Sequence, residues 1–259
     1  ERCNRDQQVE LAKSFAEDLF RAYPEIRQKY GADEADRYLA HCRYTATKKG
    51  LDAMLSLVAS DPRIAVSSVS IFDSDPWVFM AGNGAINLKT GALLAPDPSM
   101  MISRSSPVAY VRDAKCPQWL KFLDDIFLGD TETIETLQRW MGYTLCGDCG
   151  EEMLLVELGV GSNGKSVRDA IHRHIMGSYG KAILSTVITA VDDDASKATP
   201  EIASLCGLRY GSINETQAND KLNETAVKRV AGTEMIPARN PYGRPFEFPP
   251  TAKCSVRTN

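Results

Sequence analysis

The sequence predicts an α/β protein: a central, mainly parallel sheet flanked by helices, preceded by a mixed helical and β-rich lobe. Three observations carry this. The octapeptide Gly159-Val160-Gly161-Ser162-Asn163-Gly164-Lys165-Ser166 satisfies the pattern G-x-x-x-x-G-K-[ST] at every fixed position. The apolar run Met153 to Leu158 precedes it, with the length and residue types of a buried strand, and Val167, Ala170, Ile171, His174 and Ile175 follow at helical spacing until Gly177. Upstream, the texture changes from helical to β-like near residue 63 and back to helical near Cys116. The expected organisation is a helical segment over 1–62, a β-rich then helical lobe over 63–150, and a nucleotide-binding domain over 151–259.

Taken in order, Val9, Leu11, Ala12, Phe15, Leu19 and Phe20 form an apolar helical stripe ending near Tyr23-Pro24. Helices are expected from about Asp33 to Arg43 and from Gly50 to Ala59, the last stopped by Ser60-Asp61-Pro62. Between Arg63 and Tyr110, turn residues separate short β-like pieces, and Trp77 to Met80 with Ala85 to Leu88 reads as a hairpin across Asn83-Gly84. From Cys116 to Gly147, Trp119, Phe122, Leu123, Ile126 and Phe127 mark one helix face, read as core. Ile134, Leu137, Trp140 and Met141 mark a second helix, capped by Asp130 or Thr131.

Composition sets the outer bounds. The 259 residues are 43% hydrophobic and 25% charged, ordinary for a globular protein, and the net charge of −4 provides no global basic field for nucleic acid. Any DNA contact must come from a local patch or from assembly. No apolar stretch approaches the roughly 20 residues that span a bilayer, so neither a membrane partner nor a signal segment is expected. Seven scattered cysteines argue for a reducing, cytoplasmic setting. Cys146-Gly-Asp-Cys149 has metal or redox spacing but lacks a second ligand pair, and reads as a turn with two ordinary thiols. A start at Glu1 and a stop at Asn259, directly after a strand-like run, suggest a fragment.

The octapeptide is where the chemistry concentrates. Its glycines let successive N–H groups turn inward, and the helix beginning near Lys165 adds its positive dipole end beneath the same point. Gly159 to Ser166 are therefore expected to cradle the phosphates of ATP, with Lys165 on the β- and γ-phosphates and Ser166 ligating Mg²⁺.

Several further segments carry a family likeness. Asn83 to Leu93, Cys116 to Leu123, Gly129-Asp130 and Leu137 to Leu145, leading in that order into the octapeptide, resemble phage, plasmid and poxvirus-type primase–helicases. The resemblance implies an AAA+-like, superfamily 3 motor preceded by an N-terminal lobe. It further implies an ATP-driven ring, usually a hexamer, that moves along single-stranded DNA in a bacterial host cell or at a viral replication site.

Residue by residue, Gly207 to Glu215 resembles the family's second acidic strand, which makes Glu215 the candidate for polarising the attacking water and sharing the metal shell. This strand departs from the family pattern in carrying Gly211 and Ser212, and Asn214 where many relatives have a second acid. Ala252 to Asn259 resembles the sensor strand, with Asn259 in the γ-phosphate-sensing position. Gly232 to Phe248 resembles the hairpin that reaches toward DNA: Lys228, Arg239 and Arg244 are expected near phosphates and Tyr242 as a stacking partner. The family's completing arginine lies past Asn259, so a chain ending there is expected to be deficient in hydrolysis.

Two other functions remain open on the residues. A nucleotide-dependent, non-hydrolysing assembly module would use the same loop. A P-loop kinase would need phosphate-gripping arginines in a lid, where Lys181 to Thr199 offers only Lys181 and Lys197 beside Asp192-Asp-Asp194.

Overall fold

The structure is a computed structural model and describes residues 5–66, 69–159, 161, 163–189, 198–214 and 222–258. The chain divides into two compact units, Glu1–Val69 and Ser70–Asn259.

The first unit is four helices: α1 (Arg5–Arg21), α2 (Tyr23–Tyr30), α3 (Ala32–Thr45) and α4 (Lys48–Ser60). Pro24 lies in the first turn of α2, where its missing N–H costs nothing, so the expected stop is instead a restart. The α1 seam is built on Ala12 and Ala16 against Leu51, while Leu11 and Phe15 are exposed. Thr47 caps α4 through its hydroxyl, which accepts from Gly50 N at 3.1 Å. Any side chain at Gly50 would collide with the carbonyl of Tyr44.

The second unit opens with an antiparallel meander of β1 (Val78–Ala81), β2 (Gly84–Asn87) and β3 (Ala92–Leu94). Ala81 pairs with Gly84 around the Asn83 turn, as the sequence predicts. Helices α5 (Pro117–Phe127) and α6 (Thr131–Tyr143) follow, and Asp130 caps α6 by accepting from Thr133 N at 3.1 Å. Leu123, Leu137 and Trp140 form their shared core.

Next come β4 (Leu155–Leu158), α7 (Lys165–Met176), β5 (Gly180–Ile183), α8 (Thr186–Thr189), α9 (Pro200–Ala203), β6 (Tyr210–Asn214) and α10 (Glu224–Ala231). A two-stranded antiparallel hairpin, β7 (Ile236–Arg239) with β8 (Pro245–Phe248), precedes the last strand, β9 (Lys253–Thr258). Four strands form a wholly parallel sheet in the order β4-β9-β6-β5. The α/β class with a parallel sheet and flanking helices thus stands as the sequence predicts.

The meander shares the core of this sheet region: Phe79 stacks on Tyr179 at 4.7 Å, and Phe79, Ala81 and Ile86 pack with Met176 and Tyr210. What reads in sequence as a lobe ahead of a separate domain is packed, from Ser70 onward, into one unit with the sheet.

Side chains alternate along a strand, and here the alternation sorts them by polarity. Ile213, Cys254 and Val256 enter a hydrocarbon core with Val187, Ile188 and Phe248. Tyr210, Ser212, Ser255 and Arg257 instead meet the polar residues of α7 and β4. The α7 stripe expected from periodicity is the outer one: Val167 is 53% exposed and Ile171 37%, while Arg168, Asp169, His172 and Met176 are buried.

Candidate functional site

All four parallel strands point the same way, so the end of β4 at Leu158, the end of β9 at Thr258 and the end of β6 at Asn214 come together on one edge. The chain leaves β4 for the far edge strand β5, and β9 fills the place between β4 and β6, so a crevice opens at the carboxyl ends of the strands. A cavity of about 730 Å³ lies there, lined by Gly161, Asn163 to Val167, Asn214, Arg257 and Thr258, and walled by Phe122 and Ile126 of α5.

Gly164 takes φ +78° and starts α7, so the helix N-terminus opens into this cavity. Lys165 is half-buried; its Nζ donates to the carbonyl of Gly159 and, at 3.2 Å, to that of Thr258. The ammonium is thereby held between the tips of β4 and β9. Ser166 is exposed on the cavity wall. Gly161, Asn163, Gly164, Lys165 and Ser166 are thus gathered around one space, with Gly159 tied to it through Lys165. Val160, Ser162, Glu215 and Asn259 lie outside the described residues, although their neighbours Asn214 and Thr258 line the cavity.

Beneath the loop runs an ionic network that periodicity does not predict. Asp169, 0% exposed, accepts from Tyr210 Oη at 2.8 Å and Arg173 Nε at 2.8 Å, and pairs with Arg257 Nη2 at 3.0 Å. The same Arg257 nitrogen donates to Ser212 Oγ at 3.0 Å. Glu157 pairs with buried Arg168 and accepts from Ser255 Oγ at 2.7 Å. Burial alone would raise the Asp169 carboxyl, but hydrogen bonds from Ser212, Tyr210 and Arg173 together with the Arg257 charge hold it below the usual carboxylate range. His172 lies tilted against Tyr210, ring centroids 4.1 Å apart, with Nε2 2.8 Å from Thr144 Oγ1. Burial, aided by the Arg168 charge, pushes it down to about 3, so it is neutral at physiological pH.

This network explains the unusual β6. Ser212 is a partner of Arg257, and a Cβ at Gly211 would press on Ile183 and Cys254 at 2.8 and 3.0 Å. It also reveals as a pocket residue Arg257, which in sequence stands too close to the expected sensor Asn259 to be nominated. The available signal was charge inside otherwise core elements: Glu157, Arg168, Asp169 and Arg257.

The expected DNA contacts are split. Tyr242, at φ +60° and fully exposed, and exposed Arg244 sit in the turn of the β7–β8 hairpin. Arg239 ends β7, half-buried, and its Nε donates to Gly243 O at 3.2 Å across that turn. Lys228 lies apart in sequence on α10, paired with Glu224 at 2.6 Å. Cys146 and Cys149 occupy a turn, buried and unbridged, with Lys253 Nζ donating to the Cys146 carbonyl. Among the described residues no three His, Cys, Asp or Glu side chains group as a metal site, and no helix is long and apolar enough to cross a membrane.

Residues 3–128 match the family model described as D5 N terminal like. Over 216 residues the chain is 25% identical to an Acanthamoeba polyphaga mimivirus protein provisionally named a helicase, covering 82% of this chain and 22% of that protein. A Frog virus 3 protein, also provisionally named a helicase, is 27% identical over 54% of this chain and 15% of its own length. An African swine fever virus protein provisionally named a primase is 22% identical over 74% of this chain and 21% of its own. The chain is thus similar to viral proteins that carry helicase and primase names. The matched part of the chain spans 15–22% of the length of these relatives. Among solved structures, the apo NrS-1 C terminal region superposes with a TM-score of 0.47 at 14% identity, over 80% of this chain and 48% of that one, a likeness too distant to carry argument.

Proposed function

We propose that this chain is part of the ATP-driven motor of a replicative DNA helicase, a P-loop ATPase of superfamily 3 and AAA+-like type. The observation that carries the reading is the cavity at the carboxyl ends of β4, β9 and β6, into which the α7 N-terminus, Lys165 and Ser166 all open. Backbone amides of the loop and the helix dipole favour a polyphosphate there. Lys165 would exchange the carbonyls of Gly159 and Thr258 for the β- and γ-phosphates.

Ser166 fits Mg²⁺: a hydroxyl exposed on the cavity wall is a hard oxygen donor, and Glu215 would supply the carboxylate next in sequence to cavity-lining Asn214. When bound, the ion would neutralise phosphate charge. Asn259, next to Thr258, would sense the γ-phosphate. The hairpin turn, with Tyr242 and Arg244 exposed and Arg239 at its base, would track single-stranded DNA, with Lys228 adding charge. The complete protein would work as a ring, by family likeness a hexamer, in a bacterial host cytoplasm or viral replication site.

Titration calorimetry with Mg-ATP tests the reading. Lys165→Ala should lose affinity tenfold or more, the worth of a charge-assisted phosphate contact of about 1.5–3 kcal/mol. Unchanged affinity would reject it. Binding without DNA-stimulated turnover in the full-length protein would assign the non-hydrolysing assembly role.

A further inference from the structure

The residues that would grip a polyphosphate account for only part of the cavity wall. Phe122 and Ile126 make up another part, and they come from α5, more than thirty residues before the loop. Of the apolar face of α5, only Leu123 is fully buried, against α6; Trp119, Phe122 and Ile126 are half-buried. The helix therefore has two apolar duties, one toward α6 and one toward the cavity.

Contact with the loop is close. A Cβ at Gly164 would lie 2.9 Å from Ile126 Cγ2 and 3.1 Å from Phe122 Cζ, so α5 rests on the residue that starts α7. A nucleoside triphosphate seated with its phosphates on residues 161–166 has one apolar, flat part left to place, its base. Ligand sites in general pair a few fixed polar groups with such apolar walls, and an aromatic ring beside a base contributes stacking whichever base it is.

Resting on the nucleotide-site reading above, the geometry points to Phe122 and Ile126 as the wall that binds the nucleobase. The D5 N terminal like match ends at Leu128, the residue that terminates α5. That segment is then no mere neighbour of the nucleotide site: it supplies one side of it.

The test compares Mg-ATP with Mg-tripolyphosphate, which has the phosphates and no base. Wild type should bind ATP more tightly than tripolyphosphate, and Phe122→Ala should weaken ATP about tenfold, within the range of one base–aromatic stack, while leaving tripolyphosphate unchanged. Phe122→Tyr should restore ATP affinity. Trp119 stacks on Phe122 at 5.5 Å and provides a readout that needs no cavity variant. Its fluorescence should change with ATP but not with tripolyphosphate, and Trp119→Phe should abolish the signal.

Equal wild-type affinity for the two ligands, or equal loss of both in Phe122→Ala, overturns the base wall and leaves the loop reading standing. Failure of wild type to bind either ligand rejects the loop reading itself.

Discussion

The two faces of the parallel sheet are built on opposite principles. One is hydrocarbon: Ile213 and Val256 point into a cluster with Val187, Ile188 and Phe248. The other, beneath α7, joins Asp169, Arg168, Arg257 and Glu157 with Tyr210, Ser212 and Ser255. An apolar face constrains the orientation of individual side chains only weakly, because hydrocarbon contact is non-directional. A hydrogen-bonded ion network constrains it tightly, since each donor has one geometry. The rigid face is the one that carries the loop helix, and its strands end at Leu158, Asn214 and Thr258, the last two lining the cavity. The polar layer thus fixes where α7 starts relative to the strand tips, and the apolar layer holds the sheet together.

The largest effect should come from breaking the polar layer. Asp169→Asn leaves Arg257 buried opposite a neutral side chain, and losing one partner of a buried pair costs about 3–5 kcal/mol. Urea unfolding followed by tryptophan fluorescence reads this unit alone, because Trp77, Trp119 and Trp140 all belong to it. The carboxyl is depressed on folding, so its contribution is complete above the unfolded value near 4 and is lost as pH falls through the folded one. The Asp169→Asn penalty should therefore shrink in acid.

Ile213→Ala breaks the other layer, at about 2–4 kcal/mol for a fully buried site. This penalty should stay unchanged as pH falls below 4, where the Asp169→Asn penalty shrinks. A pH-dependent Ile213→Ala, or a pH-independent Asp169→Asn, would erase the distinction between the faces.

A smaller effect should come from His172. Its folded value near 3 against an ordinary value near 6.5 means that folding excludes its proton. Stability is then undiminished above pH 6.5 and falls by up to about 1.4 kcal/mol per pH unit below it, as the unfolded chain takes up a proton the native state refuses. His172→Gln, which keeps a partner for Thr144, should flatten this limb between pH 6.5 and 5, read from the urea midpoint.

Much of the architecture is legible in the residues. The octapeptide, the strand before it, the β1–β2 turn at Asn83-Gly84 and the Asp130 cap are local signals, set by a few neighbouring side chains. The buried side of α7 is not local. Apolar spacing nominates Val167 and Ile171, but Arg168 and Asp169 find partners in Glu157, Tyr210 and Arg257, on strands up to 88 residues away, and these outweigh the apolar preference. Phe122 and Ile126 are read as core because a helix stripe does not say which of its residues will be shared with a cavity.

The smallest effect is also the sharpest check on that orientation. If periodicity ruled, Ile171 would face the sheet, and its replacement by Gln would bury an amide at a cost of a few kcal/mol. With Ile171 on the outer face of α7, Ile171→Gln should move the urea midpoint by less than the equivalent of about 0.5 kcal/mol, since surface substitutions that break no cap, pair or core contact stay in that range. The two expectations differ severalfold at one position. A near-zero result together with a large Asp169→Asn penalty requires the polar side of α7 to face the strands.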